Sequence, residues 1–369
     1  MATVRGSRAR RGEEALRAAI SGIEPLDAEA MAAARERQER LTKPQGSLGR
    51  LEEVTVWLAG VRRQAVPRLG RKVVITAAAD HGVALRGVSA YPQEVTFQMV
   101  GNFLAGGAAI NVLARLVGAR VVVVDAGVAR QHAPSTALVA RRAGAGTADI
   151  AVGPAMSRQQ ALSCLGSGIE LAERLARRGP VTLATGDMGI GNTTAAAAVV
   201  ACLTGAPAAS VTGRGTGIDD ETRGRKVRLI EEALARNAPD AADPIDVLHK
   251  AGGFELGFLA GVILGGAAQR AAVVLDGVVS GVAALLACRL APAAREYLLA
   301  AHRSPEPAHG VALQELALEP LLDLGMRLGE GTGAVLGLML LEAACRLHAE
   351  MATFESAGVS GRLRARSPA

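Results

Sequence analysis

Apolar and polar positions change rhythm twice along the chain. From Glu13 to Ala65 the sequence reads as helical, with one break at Lys43-Pro44-Gln45-Gly46, where proline and glycine enforce a turn. From Arg71 the pattern shifts to short β-branched runs, each followed by Asp or Gly and then by a longer Ala-rich segment. The runs are Lys72 to Thr76, Ala119 to Val124, Pro180 to Ala184 and Ala271 to Leu275. Such alternation predicts βαβ units in an open parallel sheet. Beyond Cys288 the strand pattern fades, and Pro292 to Ala301, Leu313 to Leu324 and Gly333 to Ala352 read as helices, with Pro292 suited to a first helical position. The expected organisation is therefore a disordered basic tail over 1–12, an α/β domain over 66–291, a small helical domain built from 13–65 and 292–353, and a flexible tail over 354–369.

Polar residues fall at telling places in this pattern. Asp80-His81-Gly82, Asp125-Ala126-Gly127, Thr185-Gly186-Asp187 and Asp276-Gly277 each follow a predicted strand. Ligands of parallel sheets bind outside the carboxyl ends of the strands. Asp and Gly are also ordinary turn formers, so no single turn decides the matter. Four in register point to a site.

Composition narrows the function class. Half of the 369 residues are apolar, enough for a sizeable core, but aromatics make up only 2%, so packing depends on close approach of small residues. Ala-rich helices over parallel strands suit that requirement. The formal charge of +6 comes with Arg5 to Arg11 at one end and Arg362, Arg364 and Arg366 at the other. With two Tyr and five Phe there is little to stack on bases, so the basic ends read as solvated tails rather than a nucleic-acid surface, and a basic interior would serve a phosphorylated substrate equally well. Cys164, Cys202, Cys288 and Cys345 are far apart with no CxxC spacing, and neither disulfides nor a zinc site is expected. Ala251 to Leu290, the most apolar stretch, is interrupted by Glu255, Gln269, Arg270 and Asp276, and no secretory signal follows Met1; a cytoplasmic protein without a membrane partner is expected.

Four segments are candidates for chemistry. Thr185 to Thr194 joins a strand to an Ala-rich helix, a suitable anion site at a helix start, although Asn192 or Thr193 also fits a plain helix cap. It lacks the Gly-Lys-Ser/Thr ending of a nucleotide triphosphate loop, and Thr194 stands where the dinucleotide fingerprint needs glycine. Gly213-Arg214-Gly215-Thr216-Gly217 precedes a helix bearing Arg223, Arg225 and Lys226, which suits either a phosphate cradle or a solvated loop. In Gly325 to Ala334, Glu330 is flanked by glycines at a predicted helix start, where it is either a site carboxylate or a charge at the helix N-terminus. Asp80-His81 is the fourth, with no nucleophile motif beside it and no metal-ligand spacing among the remaining histidines.

Taken in order, these segments resemble the nicotinate-nucleotide:dimethylbenzimidazole phosphoribosyltransferase family. The resemblance rests on Leu41-Thr42-Lys43-Pro44-Gln45-Gly46-Ser47-Leu48-Gly49-Arg50-Leu51-Glu52, on Ala79 to Val83 with Gly87 to Pro92, and on Asp187 to Thr194. It continues through Gly252-Gly253-Phe254-Glu255, Val274 to Gly277 and Met326 to Ala334, covering about Leu26 to Thr353.

That resemblance implies a Rossmann-like α/β domain with flanking helices, a small helical domain formed by the N- and C-terminal segments, and a homodimer. The implied reaction moves the phosphoribosyl group of nicotinate mononucleotide to 5,6-dimethylbenzimidazole, giving α-ribazole 5'-phosphate and nicotinate in cobalamin nucleotide-loop assembly, with no cofactor or metal. The family's catalytic glutamate matches Glu330. Asp187, where many relatives carry Glu, is a shorter carboxylate suited to offset charge on the sugar. Tyr91 and Gln98 match the benzimidazole pocket; Gly189, Gly191, Asn192, Gly215, Thr216 and Gly217 match the nucleotide loops. Lys226 and Arg327, with Leu328 beside it, complete the expected substrate contacts. A nucleotide-binding relative without turnover, or transfer to another acceptor base, would keep the same pocket.

Overall fold

The structure is a computed structural model and describes residues 2–361. In chain order the elements are α1 (Ala2–Gly22), α2 (Ala28–Arg40), α3 (Arg50–Arg62), β1 (Arg71–Ala79), α4 (Glu94–Ala105), α5 (Ala109–Leu116), β2 (Arg120–Gly127), β3 (Leu138–Ala140), α6 (Arg158–Ala176), β4 (Val181–Met188) and α7 (Asn192–Thr204). They continue with α8 (Ala208–Val211), α9 (Asp220–Asn237), α10 (Pro244–Ala251), α11 (Phe254–Ala268), β5 (Ala272–Leu275), α12 (Val278–Leu290), β6 (Leu298–Ala300), α13 (Pro307–Glu315), α14 (Thr332–Glu350) and α15 (Phe354–Ala357).

All six strands run parallel in the order β3-β2-β1-β4-β5-β6. This is a doubly wound Rossmann-like order, and its direction reverses between β1 and β4, where a crevice opens at the carboxyl ends. The four long runs read from the sequence are β1, β2, β4 and β5. Their burial explains why the runs are continuous rather than alternating: the last seven residues of β1 and all of β5 are inaccessible on both faces. Between helices the core is packed by small residues. In α11 every residue from Phe254 to Ala267 is buried.

Contacts divide the described chain into two units, 2–24 with 71–338 and 25–70 with 339–361. The first holds the sheet; in the second, α2 and α3 pack through Ala34, Val56 and Ala59 with Met31 against them. The boundaries therefore differ from those read from the sequence, which assigned 13–65 and 292–353 to the helical domain. The early helix belongs with the sheet because Ala9, Gly12, Leu16 and Ala19 form a buried stripe at helical spacing beneath the exposed arginines. Gly12 lies against Gly166 of α6, with no room for a Cβ on either. Residues 2–12 are accordingly helix rather than a disordered tail, and Phe354–Ala357 is a capped helical turn within the other expected tail. Met1 and 362–369 lie outside the described residues.

Two further expectations change. Pro292 to Ala301 forms a 3₁₀ turn, Pro292–Tyr297, followed by edge strand β6, and Leu313 to Leu324 is helical only to Glu315. Both β3 and β6 are three residues long, too short to carry a legible period. Among stretches with the length and hydropathy of a membrane span, Glu94–Leu116 is two helices separated at Gly106 to Ala108, and Thr332–Glu350 is α14.

Candidate active site

A cleft of about 490 Å³ lies at the carboxyl ends of the strands. One wall is apolar, built by Val88 and Tyr91, by Val95 and Met99 one turn apart on α4, and by Val278, Val279 and Leu328. The other carries Asp187, Asn192, Thr193, Gly215, Thr216, Ser304, Glu306 and Arg327. Glu330 belongs to the same lining and is buried to 4% exposure.

Glu330 occupies a turn that glycine would prefer. Gly329, Glu330 and Gly331 have φ of 83°, 65° and 99°, and a left-handed non-glycine residue costs about 1–2 kcal/mol. Three main-chain contacts hold it there. Glu330 donates its N–H to the Asp187 carbonyl at 3.0 Å, its own carbonyl accepts the Thr76 hydroxyl at 2.8 Å, and Gly186 faces that carbonyl where a side chain would collide. The following helix is capped from another strand end: Asp276 accepts Gly331 N–H and Ala334 N–H, both at 3.0 Å. Because Asp276 takes the capping role at α14, Glu330 is released from it. Its Oε2 instead accepts Ile110 N–H at 3.2 Å, at the N-terminus of α5. Burial pushes the Glu330 carboxyl up from its ordinary value, the Ile110 hydrogen bond pulls it down, and the Asp276 charge adds to the rise.

Asp187 lies near the end of β4 and receives the Asn192 amide on Oδ2 at 2.8 Å. Burial raises its carboxyl well above the ordinary range, reinforced by Asp276 and Glu255, opposed by Asn192 and reinforced again by Glu330. The neighbouring carboxylates Asp276, Glu255 and Glu330 thus add to what burial costs the ionised form of Asp187. Asn192 and Thr193 are thus not caps. Gly191, at φ 93°, precedes α7, which starts with no side-chain cap and points its positive end at the cleft.

Behind Thr193 sits Lys226, fully buried on α9, its Nζ donating to the Thr193 hydroxyl at 2.8 Å. Burial lowers this amine to about 8, against the pull of Glu306 and with the help of Arg223. Glu306 accepts Gly215 N–H at 2.8 Å, and Arg327 donates to the Gly215 carbonyl at 3.1 Å, so the second glycine turn is gripped from both sides. Thr216 accepts Ala90 N–H at 2.9 Å and fastens that turn to the Gly87-to-Pro92 segment.

Of the residues expected from sequence, Glu330, Asp187, Tyr91, Gly189, Gly191, Asn192, Gly215, Thr216, Arg327 and Leu328 all line this one cleft. Lys226 reaches it through Thr193. Gly217 faces an adjoining hollow with Arg214 and Arg223. Gln98 is exposed on α4 and outside the lining; the helical period from Val95 brings Met99 there instead. Met99, Ile110, Ser304 and Glu306 escaped the sequence reading, and only Met99, four residues from Val95, carried a usable signal. Among the described residues no group of three or more His, Cys, Asp or Glu side chains is arranged to hold a metal ion.

A Rossmann-like sheet with a cleft at its switch point, an uncapped helix start and a buried lysine beside a glycine turn defines a nucleotide-handling α/β enzyme. A family model described as phosphoribosyltransferase matches residues 23–359. Nicotinate-nucleotide–dimethylbenzimidazole phosphoribosyltransferase of Roseiflexus sp. (strain RS-1) is 60% identical over 344 residues, 93% of this chain and 98% of that protein. Its counterpart from Geobacter sulfurreducens is 53% identical over 342 residues, 93% of this chain and 97% of that protein. A crystal structure of the enzyme of that name from Thermus thermophilus superimposes with a TM-score of 0.86 at 48% identity, covering 91% of this chain and 100% of the other. The chain belongs to the nicotinate-nucleotide–dimethylbenzimidazole phosphoribosyltransferase family.

Proposed function

We propose that this enzyme transfers the phosphoribosyl group of nicotinate mononucleotide to 5,6-dimethylbenzimidazole, giving α-ribazole 5'-phosphate and nicotinate, with Glu330 as the general base. The observation that carries the reading is a carboxylate, Glu330, buried in a cleft lined by both apolar and polar side chains. The apolar wall suits a flat aromatic acceptor. Opposite it, the α7 N-terminus, Gly215 and Lys226 through Thr193 suit the phosphate of the donor. When the C1'–N bond of the donor breaks, its electron pair neutralises the pyridinium nitrogen, so departure needs no general acid. One acceptor nitrogen forms the new bond to C1' from the opposite face, and the proton on the other passes to the Glu330 carboxylate. The raised affinity of Glu330 for a proton makes it a better base than an exposed glutamate. Asp187, on the donor side, gains by ionising as positive charge builds on the sugar. We further propose a homodimer, favoured by Val112 and Leu116, exposed four residues apart on α5. Incubating the protein with both substrates tests the activity: α-ribazole phosphate and nicotinate are expected in equal amounts, and their absence overturns the reading.

A further inference from the structure

Beneath the donor side of the cleft lies an ion pair that the reaction as described does not use. His81 Nε2 and Glu255 Oε1 are 2.8 Å apart, with side chains 1% and 0% exposed. His81 follows β1 and Glu255 lies in the first turn of α11, so the pair bridges two elements. Gly253 is packed on it so closely that a Cβ would stand 2.5 Å from His81 Cε1 and 2.6 Å from the Glu255 carboxylate. On its upper side the pair supports the nucleotide turn. Gly191, in the left-handed region, brings its Cβ position to 3.3 Å from His81 Cβ; Gly189 is pressed on the Ala79 carbonyl; and Ile190 N–H bonds Thr96 Oγ1 at 3.0 Å. Gln93 donates to the His81 carbonyl at 3.0 Å and fixes the same corner.

We propose that His81 and Glu255 are positioning residues for the donor: an imidazolium–carboxylate pair that props the Gly189-to-Asn192 turn and keeps the Glu255 charge from bearing fully on Asp187. The electrostatics agree with the geometry. Burial lowers the His81 imidazole, but the Glu255 charge and hydrogen bond, with Asp80, raise it overall. Glu255 is among the charges that raise Asp187. The ionisable groups facing the pair are Asp80 in the same turn, Asp187 near the end of β4 and Cys164 on α6, whose thiol Glu255 pushes further up. Only His81 among them supplies positive charge.

The proposal rests on Asp187 acting as an anion on the donor side, and the experiment separates the two. Glu255→Gln and His81→Asn are compared with wild type and Asp187→Asn in pH profiles of kcat, with KM measured separately for each substrate. Glu255→Gln is expected to move the acid limb to lower pH, because one negative neighbour of Asp187 is gone. His81→Asn is expected to move it to higher pH, because Glu255 is left uncompensated. Both should raise KM for the nucleotide by about tenfold or more and leave KM for the acceptor near wild type, since a displaced turn misplaces the donor alone. A merely structural pair would lower stability in both variants without moving the limbs in opposite directions, and that result overturns the proposal. Should His81→Asn fail to fold, the isosteric Glu255→Gln decides alone: an unmoved limb refutes the positioning role. Full activity with an unchanged profile in Asp187→Asn would instead remove the role given to Asp187.

Discussion

Replacing Glu330 with glutamine isolates the proton-accepting step. The main-chain contacts that hold this turn, from Glu330 N–H to Asp187, from Thr76 to the Glu330 carbonyl and from Asp276 to Gly331 and Ala334, involve no atom of the Glu330 carboxylate. The amide oxygen of glutamine still accepts Ile110 N–H. What disappears is a basic oxygen and a carboxylate that bears on Asp187. Loss of a positioned base slows a reaction by about 10²–10⁴, equivalent to about 2.7–5.5 kcal/mol of barrier. Stability should not fall, since a buried carboxylate whose ionised form is disfavoured has become neutral. Initial rates with both substrates saturating, followed by chromatographic detection of α-ribazole phosphate, read the first quantity. Thermal melting read by circular dichroism gives the second. The acid limb of the wild-type profile should lie above the ordinary carboxylate range, and the part due to Glu330 should vanish in Glu330→Gln. Turnover within about fivefold of wild type would refute the assignment of the base, because no positioned base contributes so little.

Asp276→Ala leaves two helix-start N–H groups without their acceptor, and a loss of about 2–3 kcal/mol is expected in denaturant titration, together with reduced turnover because the Glu330 turn loses its anchor. Lys226→Met should weaken nucleotide binding in a calorimetric titration; in wild type, binding should weaken as pH rises through about 8, where the amine loses its charge. Glu330 and Asp187 both hold protons more tightly in the folded state, so they favour folding at low pH and withdraw that contribution as pH climbs through their raised values; Glu330→Gln should flatten this fall in melting temperature against pH. Gln98→Ala should leave KM for the acceptor near wild type, whereas Met99→Ala, opening the apolar wall, should raise it.

Much of this was legible because the chain places its chemistry where periodicity changes. Four buried runs without alternation announced a parallel sheet, and the polar residues closing them, Asp187 and Asp276 among them, proved to line or brace one cleft. Residues acting across long separations left no such trace. Glu306 meets Gly215 from 91 positions away and Ile110 meets Glu330 from 220, and neither has a neighbour in sequence that hints at its partner. The start of α1, residues 2–12, was hidden for a different reason. There the buried stripe consists of Ala9 and Gly12, small residues set among arginines, so composition masked a pattern that the packing against Gly166 makes plain. Gln98 and Met99 are neighbours in sequence, yet about one hundred degrees of helical turn separates solvent from the cleft lining.

The anchoring of the Glu330 turn by Asp276 also sets an order of assembly. During synthesis every strand of the sheet, the Asp187 turn and the buried lysine are complete by Ala300, while Glu330 arrives later and its turn is secured only when Gly331 and Ala334 reach the waiting Asp276 carboxylate. A chain halted at Ala300 has the sheet, the Asp187 turn and Lys226, and still lacks Glu306, Arg327 and Glu330, which complete the cleft lining. Among the residues that line the cleft, Glu330 is the last to leave the ribosome.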